Sequence, residues 1–240
     1  VTSPSAQHLR VATYNIHSWE GADNTADPQR ILRVIAALNA DIIALQEVVS
    51  PNAAGVPCSL TDLAQELGYH AIFGQTMLRP DTRYGNALLS RKKPQIVRHH
   101  SLAIHRREPR GAIEATFTFA STVRIFATHF GLSARERRVQ FAKLHTLFQR
   151  GAPEVSILLG DLNDWFPLSP LRRRLRLAFG HAPAPRTFPA RCPLFALDRI
   201  HVTPAGRLRH LARHNTPEAK HASDHLPLVA DIQVGESSEG

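Results

Sequence analysis

Cysteine is scarce in this 240-residue sequence, which holds only Cys58 and Cys192. Two thiols so far apart build no disulfide framework, and the absence of a CxxC pair excludes a thiolate metal knuckle. Whether they join in a single disulfide stays open. Long apolar runs are also missing: none approaches the roughly 18 residues that span a bilayer, so a helical membrane protein is not expected. The opening segment Val1-Thr2-Ser3-Pro4-Ser5 has neither a basic n-region nor an apolar h-region. It carries no initiator Met, so removal of a leader ahead of it, and with it the localisation, stays open. Repeats, low-complexity tracts and Gly/Ser linkers are lacking too. The expectation is a single domain over residues 1–234 followed by a flexible polar tail over 235–240. Nothing in the sequence points to a protein partner.

What is present suits a globular fold. A hydrophobic fraction of 43% beside 20% charged residues is ordinary for a soluble protein, and the length allows one well-buried core. The formal net charge is +9, which favours anionic partners such as nucleic acid or lipid headgroups. The cations are mostly Arg and spread along the chain, so charge alone shifts the reading only modestly.

Periodicity then sets the class. Leu9 to Ile16 alternates apolar and polar residues and predicts a strand. Pro28 opens a helix whose apolar stripe is Ile31, Val34, Ile35 and Leu38. Asp41 to Leu45 reads as a buried strand, and Leu60 to Leu67 as a helix ended by Gly68. Strand-like runs follow at 70–73, 86–90, 96–102, 112–119 and 123–128. Ser133 caps a helix, with Glu136 completing a capping box and Phe141, Leu144 and Phe148 on its buried side. Further strands are expected at 155–159, 198–202, 208–212 and 226–232. Strands outnumber helices, which fits two stacked sheets flanked by helices better than a doubly wound parallel sheet.

Polar residues able to bind metal or move protons recur at the C-terminal ends of apolar strands. Asn15 follows Val11-Ala-Thr-Tyr, Glu47 follows Ile42-Ile-Ala-Leu-Gln, and His129 follows Ile125-Phe-Ala-Thr. Asp161 and Asn163 follow Ile157-Leu-Leu-Gly. Strand ends are where rigid scaffolds present function, although each residue alone has an ordinary reading as a turn residue or cap. Asp161 and Asn163 are two apart, so an extended chain would point both to one side. A carboxylate beside a neutral amide suits a metal-bound water held next to a phosphoryl oxygen. In Ser223-Asp224-His225, a carboxylate suited to Mg²⁺ or Mn²⁺ adjoins an imidazole that titrates near neutral pH. Asp198 is a candidate to orient that imidazole; the plainer alternative is an ion pair with Arg199.

As an ordered set, these segments resemble the endonuclease/exonuclease/phosphatase superfamily of deoxyribonuclease I-like enzymes. The matching stretches are Thr13-Tyr-Asn15, Leu45-Gln-Glu-Val48, Tyr84-Gly-Asn-Ala-Leu-Leu-Ser90, Thr128-His129, Gly160-Asp-Leu-Asn163, Leu197-Asp-Arg-Ile200 and Ser223-Asp-His-Leu-Pro227. The resemblance implies a four-layer α/β/β/α sandwich and hydrolysis of phosphoester bonds with Mg²⁺ or Mn²⁺. It also implies that Glu47 binds the metal, with Asn15 beside it and Asp224 as an added ligand. Asp161 would align or deprotonate the attacking water, and Asn163 would bind the phosphoryl oxygen. His225, oriented by Asp198, would be the site histidine, with His129 as a second that contacts phosphate. Arg110, Tyr84 and Asn86 would touch substrate.

The substrate is less legible. Basic stretches at Arg135-Glu-Arg-Arg138 and Leu171-Arg-Arg-Arg-Leu-Arg176 could grip a polyanion or be solvated helix faces. Net charge favours a nuclease-like phosphodiesterase. The absence of the longer DNA-clamping insertions of abasic-site endonucleases favours a phospholipid, sphingomyelin or sugar-phosphate substrate instead. The continuation Asp164-Trp165-Phe166-Pro167 offers two aromatics that could stack a base, dip into an interface or pack as local core. A catalytically silent anion-binding module is a third reading.

Overall fold

A computed structural model describes residues 7–51, 60–151 and 153–235. Cys58 and residues 236–240 lie outside them, while Cys192 is an exposed free thiol. The described chain forms two mixed sheets. The first, in the order β10-β11-β1-β2-β4-β3, comprises Leu208–Arg213, Leu228–Val234, Gln7–Asn15, Ile42–Pro51, Thr82–Ser90 and His70–Leu78. The second, β5-β6-β7-β8-β9, comprises Ile96–Ser101, Gly111–Thr118, Thr122–His129, Val155–Asp161 and Asp198–Thr203.

Strand alternation divides the apolar side chains among three cores. Leu9 and Val11 of β1, Ile42 and Ala44 of β2, and Val155, Ile157 and Leu159 of β8 meet between the sheets. Tyr14, Ile43 and Leu45 face the other way, against α1 (Pro28–Leu38), α2 (Leu60–Glu66) and α5 (Pro217–Ala222). On the far side, Phe126 and Leu158 pack against α3 (Ala134–Phe148) and α4 (Pro170–Phe179). The result is the four-layer α/β/β/α sandwich. Among the described residues no helix is long and apolar enough to cross a membrane.

Local signals explain where the helices begin. Asp27 caps α1 by accepting from the Arg30 N–H at 3.1 Å, and Pro28 occupies the first turn. Ser133 and Glu136 form the reciprocal capping box of α3. The predicted strands are all present, most with longer limits, while 96–102 ends one residue earlier and 112–119 and 226–232 are shifted to Gly111–Thr118 and Leu228–Val234. Two α-helices went unpredicted: α4, whose Arg-rich face hides the Leu171, Leu175 and Phe179 stripe, and α5, only six residues long.

Each sheet contains one parallel pair, β1 with β2 and β7 with β8. The C-terminal ends of these pairs carry Asn15, His129 and Asp161, whereas Glu47 follows Gln46, the last β2 residue paired with β1, inside a strand that runs on to Pro51 rather than at its end. At the end of β8, Gly160 has φ +148°, and a β-carbon there would lie 1.8 Å from the Thr128 carbonyl oxygen. No flexible side chain can yield, since the obstacle is backbone of the neighbouring strand. Gly160→Ala is therefore expected to destabilise the protein by about 4 kcal/mol or to prevent folding, read from the urea midpoint. A shift below about 1 kcal/mol would mean that the strand pair tolerates the added atom.

Candidate active site

The site begins with Asn15, which is buried at the end of β1. Its Nδ2 donates to Glu47 Oε1 at 2.9 Å and to Asp161 Oδ2 at 3.2 Å, joining carboxylates from the two sheets. Its Oδ1 accepts from the His17 N–H at 3.0 Å, and its carbonyl accepts from Ser223 Oγ at 2.8 Å. One amide is thus held on all sides and fixes the spacing of two acids.

Glu47 is aimed by a break in strand pairing. Leu45 pairs with Ala87 and Val48 with Gly85, so Gln46 and Glu47 together oppose Asn86 alone. This is a β-bulge, and it places Glu47 in the left-handed region at φ 57°. Such a conformation in a strand residue costs of order 1–3 kcal/mol and clusters at functional sites. Tyr84 and Asn86 come from the opposing strand. Burial, then the negative charge of Glu47, pushes the Tyr84 hydroxyl well up, so it remains a proton donor. Asn86 Nδ2 donates to the Gly111 carbonyl at 3.2 Å.

Asp161 and Asn163 do not share a face through extension. Asn163 has φ 50°, and its N–H donates back to Asp161 Oδ1 at 2.8 Å. This tight turn brings the Asn163 amide to the Phe130 carbonyl at 2.9 Å and to His129 Nε2 at 3.0 Å. Arg110 Nη1 donates to His129 Nδ1 at 2.9 Å, because a guanidinium has no acceptor. The neutral ring then carries its proton on Nε2, for which Asp161 Oδ2 at 3.5 Å is the acceptor at hand. Burial, reinforced by Arg110, lowers the His129 pKa to about 3. Arg110 is itself buried and donates through Nη2 to Glu108 at 3.0 Å.

His225 has the opposite electrostatics. Burial acts to lower its pKa, but Asp198, Asp161 and Asp224 override it and raise the value to about 10. Its Nδ1 donates to Asp198 Oδ2 at 2.8 Å, and Nε2 faces Asp161 Oδ2 at 3.8 Å. Asp198 pairs in register with Asp161 across β8 and β9, and its Oδ2 also accepts from Thr187 Oγ1 at 2.6 Å. The Phe188 ring packs 4.9 Å from the imidazole. Asp224 is half-buried, with Oδ1 at 3.9 Å from His17 Nδ1.

The structure thus brings Asn15, Glu47, His129, Asp161, Asn163, Asp198 and His225 into one hydrogen-bonded cluster, with Arg110, Tyr84, Asn86 and Asp224 around it. Three further residues, His17, Thr187 and Ser223, were missed as participants. Ser223 lay within a recognised segment, and its neighbour was the only available signal. His17, at φ 45°, and Thr187 carry no local pattern. Trp165 packs edge-on against Phe188 and Phe195, whereas Phe166 is 69% exposed.

A model of the endonuclease/exonuclease/phosphatase family matches residues 12–225, nearly the whole of the described chain. The chain belongs to this family. Members of the endonuclease/exonuclease/phosphatase family are phosphoester hydrolases. The uncharacterized protein YbhP of Escherichia coli K12 is 28% identical over 252 residues, covering 94% of this chain and 96% of the E. coli one. Among solved structures, the endonuclease/exonuclease/phosphatase from Beutenbergia cavernae superposes with a TM-score of 0.76 at 24% identity, covering 98% of this chain and 73% of that one. TDP2 of D. rerio, complexed with a single-strand DNA product, superposes with a TM-score of 0.69 at 17% identity, covering 95% of this chain and 100% of that one. At these identities the structural likeness speaks to the fold.

The donor chemistry fits the divalent metal that the family implies. Asp161, Asp198 and His225 place ligand atoms within 4.8 Å of one another. His225 Nδ1 is already committed to Asp198, however, and hard cations such as Mg²⁺ prefer oxygen. The half-buried Glu47 carboxylate, braced by Asn15 and reachable from solvent, is the better-suited donor.

Proposed function

We propose that the chain, acting as one domain over residues 1–234, is a divalent-metal-dependent phosphodiesterase that hydrolyses nucleic acid. The observation carrying this reading is the Asn15 amide bridging Glu47 and Asp161, with the Asp198–His225 pair facing the same Asp161 oxygen. Glu47, with Asn15 and Asp224 beside it, would hold Mg²⁺ or Mn²⁺. When bound, the ion supplies positive charge against the scissile phosphate and the departing oxygen.

The protein's own groups do the rest. Asp161 accepts the proton of the attacking water, since an ionised carboxylate is an acceptor only. His225, fixed through Nδ1 by Asp198, presents Nε2 to a phosphoryl oxygen, where charge spreads in the transition state. Asn163 spends one amide proton on the Phe130 carbonyl and has its second for the phosphoryl group. The Phe130 carbonyl holds that amide in place, His129 presents its Nε2 proton to the phosphate, and Arg110, Tyr84 and Asn86 line the approach. The net charge of +9 favours association with a polyanion.

Thr187 acts through Asp198 and is a positioning residue. Thr187→Val should lower kcat about tenfold with KM unchanged, in keeping with one lost charge-assisted hydrogen bond. Thr187→Ser should restore it, and failure of that rescue would leave the hydroxyl without a role.

A second reading, a phospholipid or sphingomyelin phosphoesterase, is favoured by the exposed Phe166 and Leu168 in the loop after Asp161–Asp164. A panel of single-stranded and plasmid DNA, RNA, abasic oligonucleotide, sphingomyelin and phosphatidylinositol phosphates, with Mg²⁺ and Mn²⁺, separates the two. Nucleic-acid cleavage is the expected result. Turnover of lipid alone would replace the first reading by the second.

A further inference from the structure

Away from the cleft, α4 lies over the outer face of β9 and encloses a cavity of about 480 Å³. Ile200 and Val202 face the core between the sheets, so the alternating Arg199 and His201 project toward α4. Arg172, Arg173 and Arg176 of α4 join Arg199 in a cationic lining, His201 is a neutral polar group because burial and then Arg199 lower its pKa, and no Asp or Glu is among the described lining residues. Leu168 and Pro183 supply an uncharged wall.

Several polar atoms here lack a hydrogen-bond partner among the described residues. Arg199 is 3% and His201 6% exposed. Arg199 Nη1 donates to the Asp198 carbonyl at 3.1 Å, while Nη2 and both His201 ring nitrogens have no hydrogen-bond partner among the described residues. Arg172 Nε likewise makes no hydrogen bond; the nearby acid is Asp164, whose Oδ2 lies 3.9 Å away and accepts from Ser169 Oγ at 2.6 Å, and whose Oδ1 has no hydrogen-bond partner among the described residues. Burying a guanidinium with an open donor is costly unless an acceptor, above all an anionic one, meets it. None of these groups takes part in the chemistry assigned to the cleft.

We propose that this cavity is a second anion site, one that takes a phosphate group and is separate from the cleft. Guanidinium forks match phosphate oxygens in geometry and charge. The phosphate can be free or part of a polynucleotide backbone, and the two sources are separable by experiment.

Titration calorimetry in excess EDTA, where no hydrolysis is expected, tests the proposal with inorganic phosphate and with a short oligothymidylate. Wild type is compared with a cleft variant, Asn163→Ala/His225→Gln, and a rim variant, Arg173→Gln/Arg176→Gln, whose side chains are exposed and safe for folding. The expected result is binding that persists in the cleft variant and weakens about tenfold or more in the rim variant. Oligothymidylate binding about tenfold tighter than phosphate, and weakened by the same rim change, identifies a backbone phosphate; binding no tighter identifies free phosphate. Binding lost in the cleft variant but kept in the rim variant would overturn the proposal. So would no binding of either probe up to about 20 mM. Because neither probe is turned over, these outcomes do not depend on whether the cleft hydrolyses phosphodiesters.

Discussion

His225→Gln is expected to lower kcat for phosphodiester hydrolysis by about 10³-fold. Glutamine keeps a donor at roughly the same reach but cannot carry the positive charge that Asp198, Asp161 and Asp224 favour on the imidazole. It also cannot reproduce the Nδ1 bond to Asp198 at 2.8 Å while presenting a second donor toward Asp161. Asp161→Asn should be as severe, because the amide cannot accept the water's proton and would oppose the Asn15 donor at 3.2 Å. The double variant should lose little more than either single one, since both act on one proton-transfer unit. Steady-state kinetics on bis-p-nitrophenyl phosphate measures this. Activity within twofold of wild type in either single variant would remove the cluster from the chemistry.

The second large effect is expected at Glu47. Glu47→Gln removes the charge but keeps the shape that the bulge between Leu45 and Val48 demands, and the Asn15 Nδ2 bond at 2.9 Å can still find an oxygen. The fold should therefore persist while the divalent-ion requirement rises steeply. About a hundredfold more Mg²⁺ is expected for half-maximal rate, together with a rate at saturation at least about tenfold lower. A variant with the wild-type Mg²⁺ dependence would place the metal elsewhere, and the Asp161–Asp198–His225 group would then be the place to look. The Glu47 backbone at φ 57° adds a further expectation. Glu47→Gly should relieve strain and raise stability by a fraction of a kcal/mol while abolishing turnover, a trade typical of positions held for function.

The layered architecture was legible because strand alternation and helix stripes are written locally: Leu9 and Val11 against Tyr14, Ile31 against Leu38. The Ser133 box and the Pro28 start were legible for the same reason. Helix α4 was not, since Arg172, Arg173, Arg174 and Arg176 dilute its stripe to three apolar residues. The proximity of Asp198 and His225 was anticipated, but its cause, the register of β9 against β8, is a long-range fact. The turn at Asn163 and the bulge at Glu47 replace the plain extended geometry that spacing suggested, because the pairing of whole strands decides where an extra residue must bulge. Thr187 and His17 enter the site from loops whose positions no periodicity encodes. Function is concentrated where local rules fail.

The most direct measurement is bis-p-nitrophenyl phosphate hydrolysis by the purified protein in excess EDTA, then after addition of Mg²⁺ or Mn²⁺. The rate should fall to below about 1% of its starting value in EDTA and recover on adding back the ion, in wild type but not in Asp161→Asn. Turnover undiminished in EDTA would contradict metal-dependent hydrolysis.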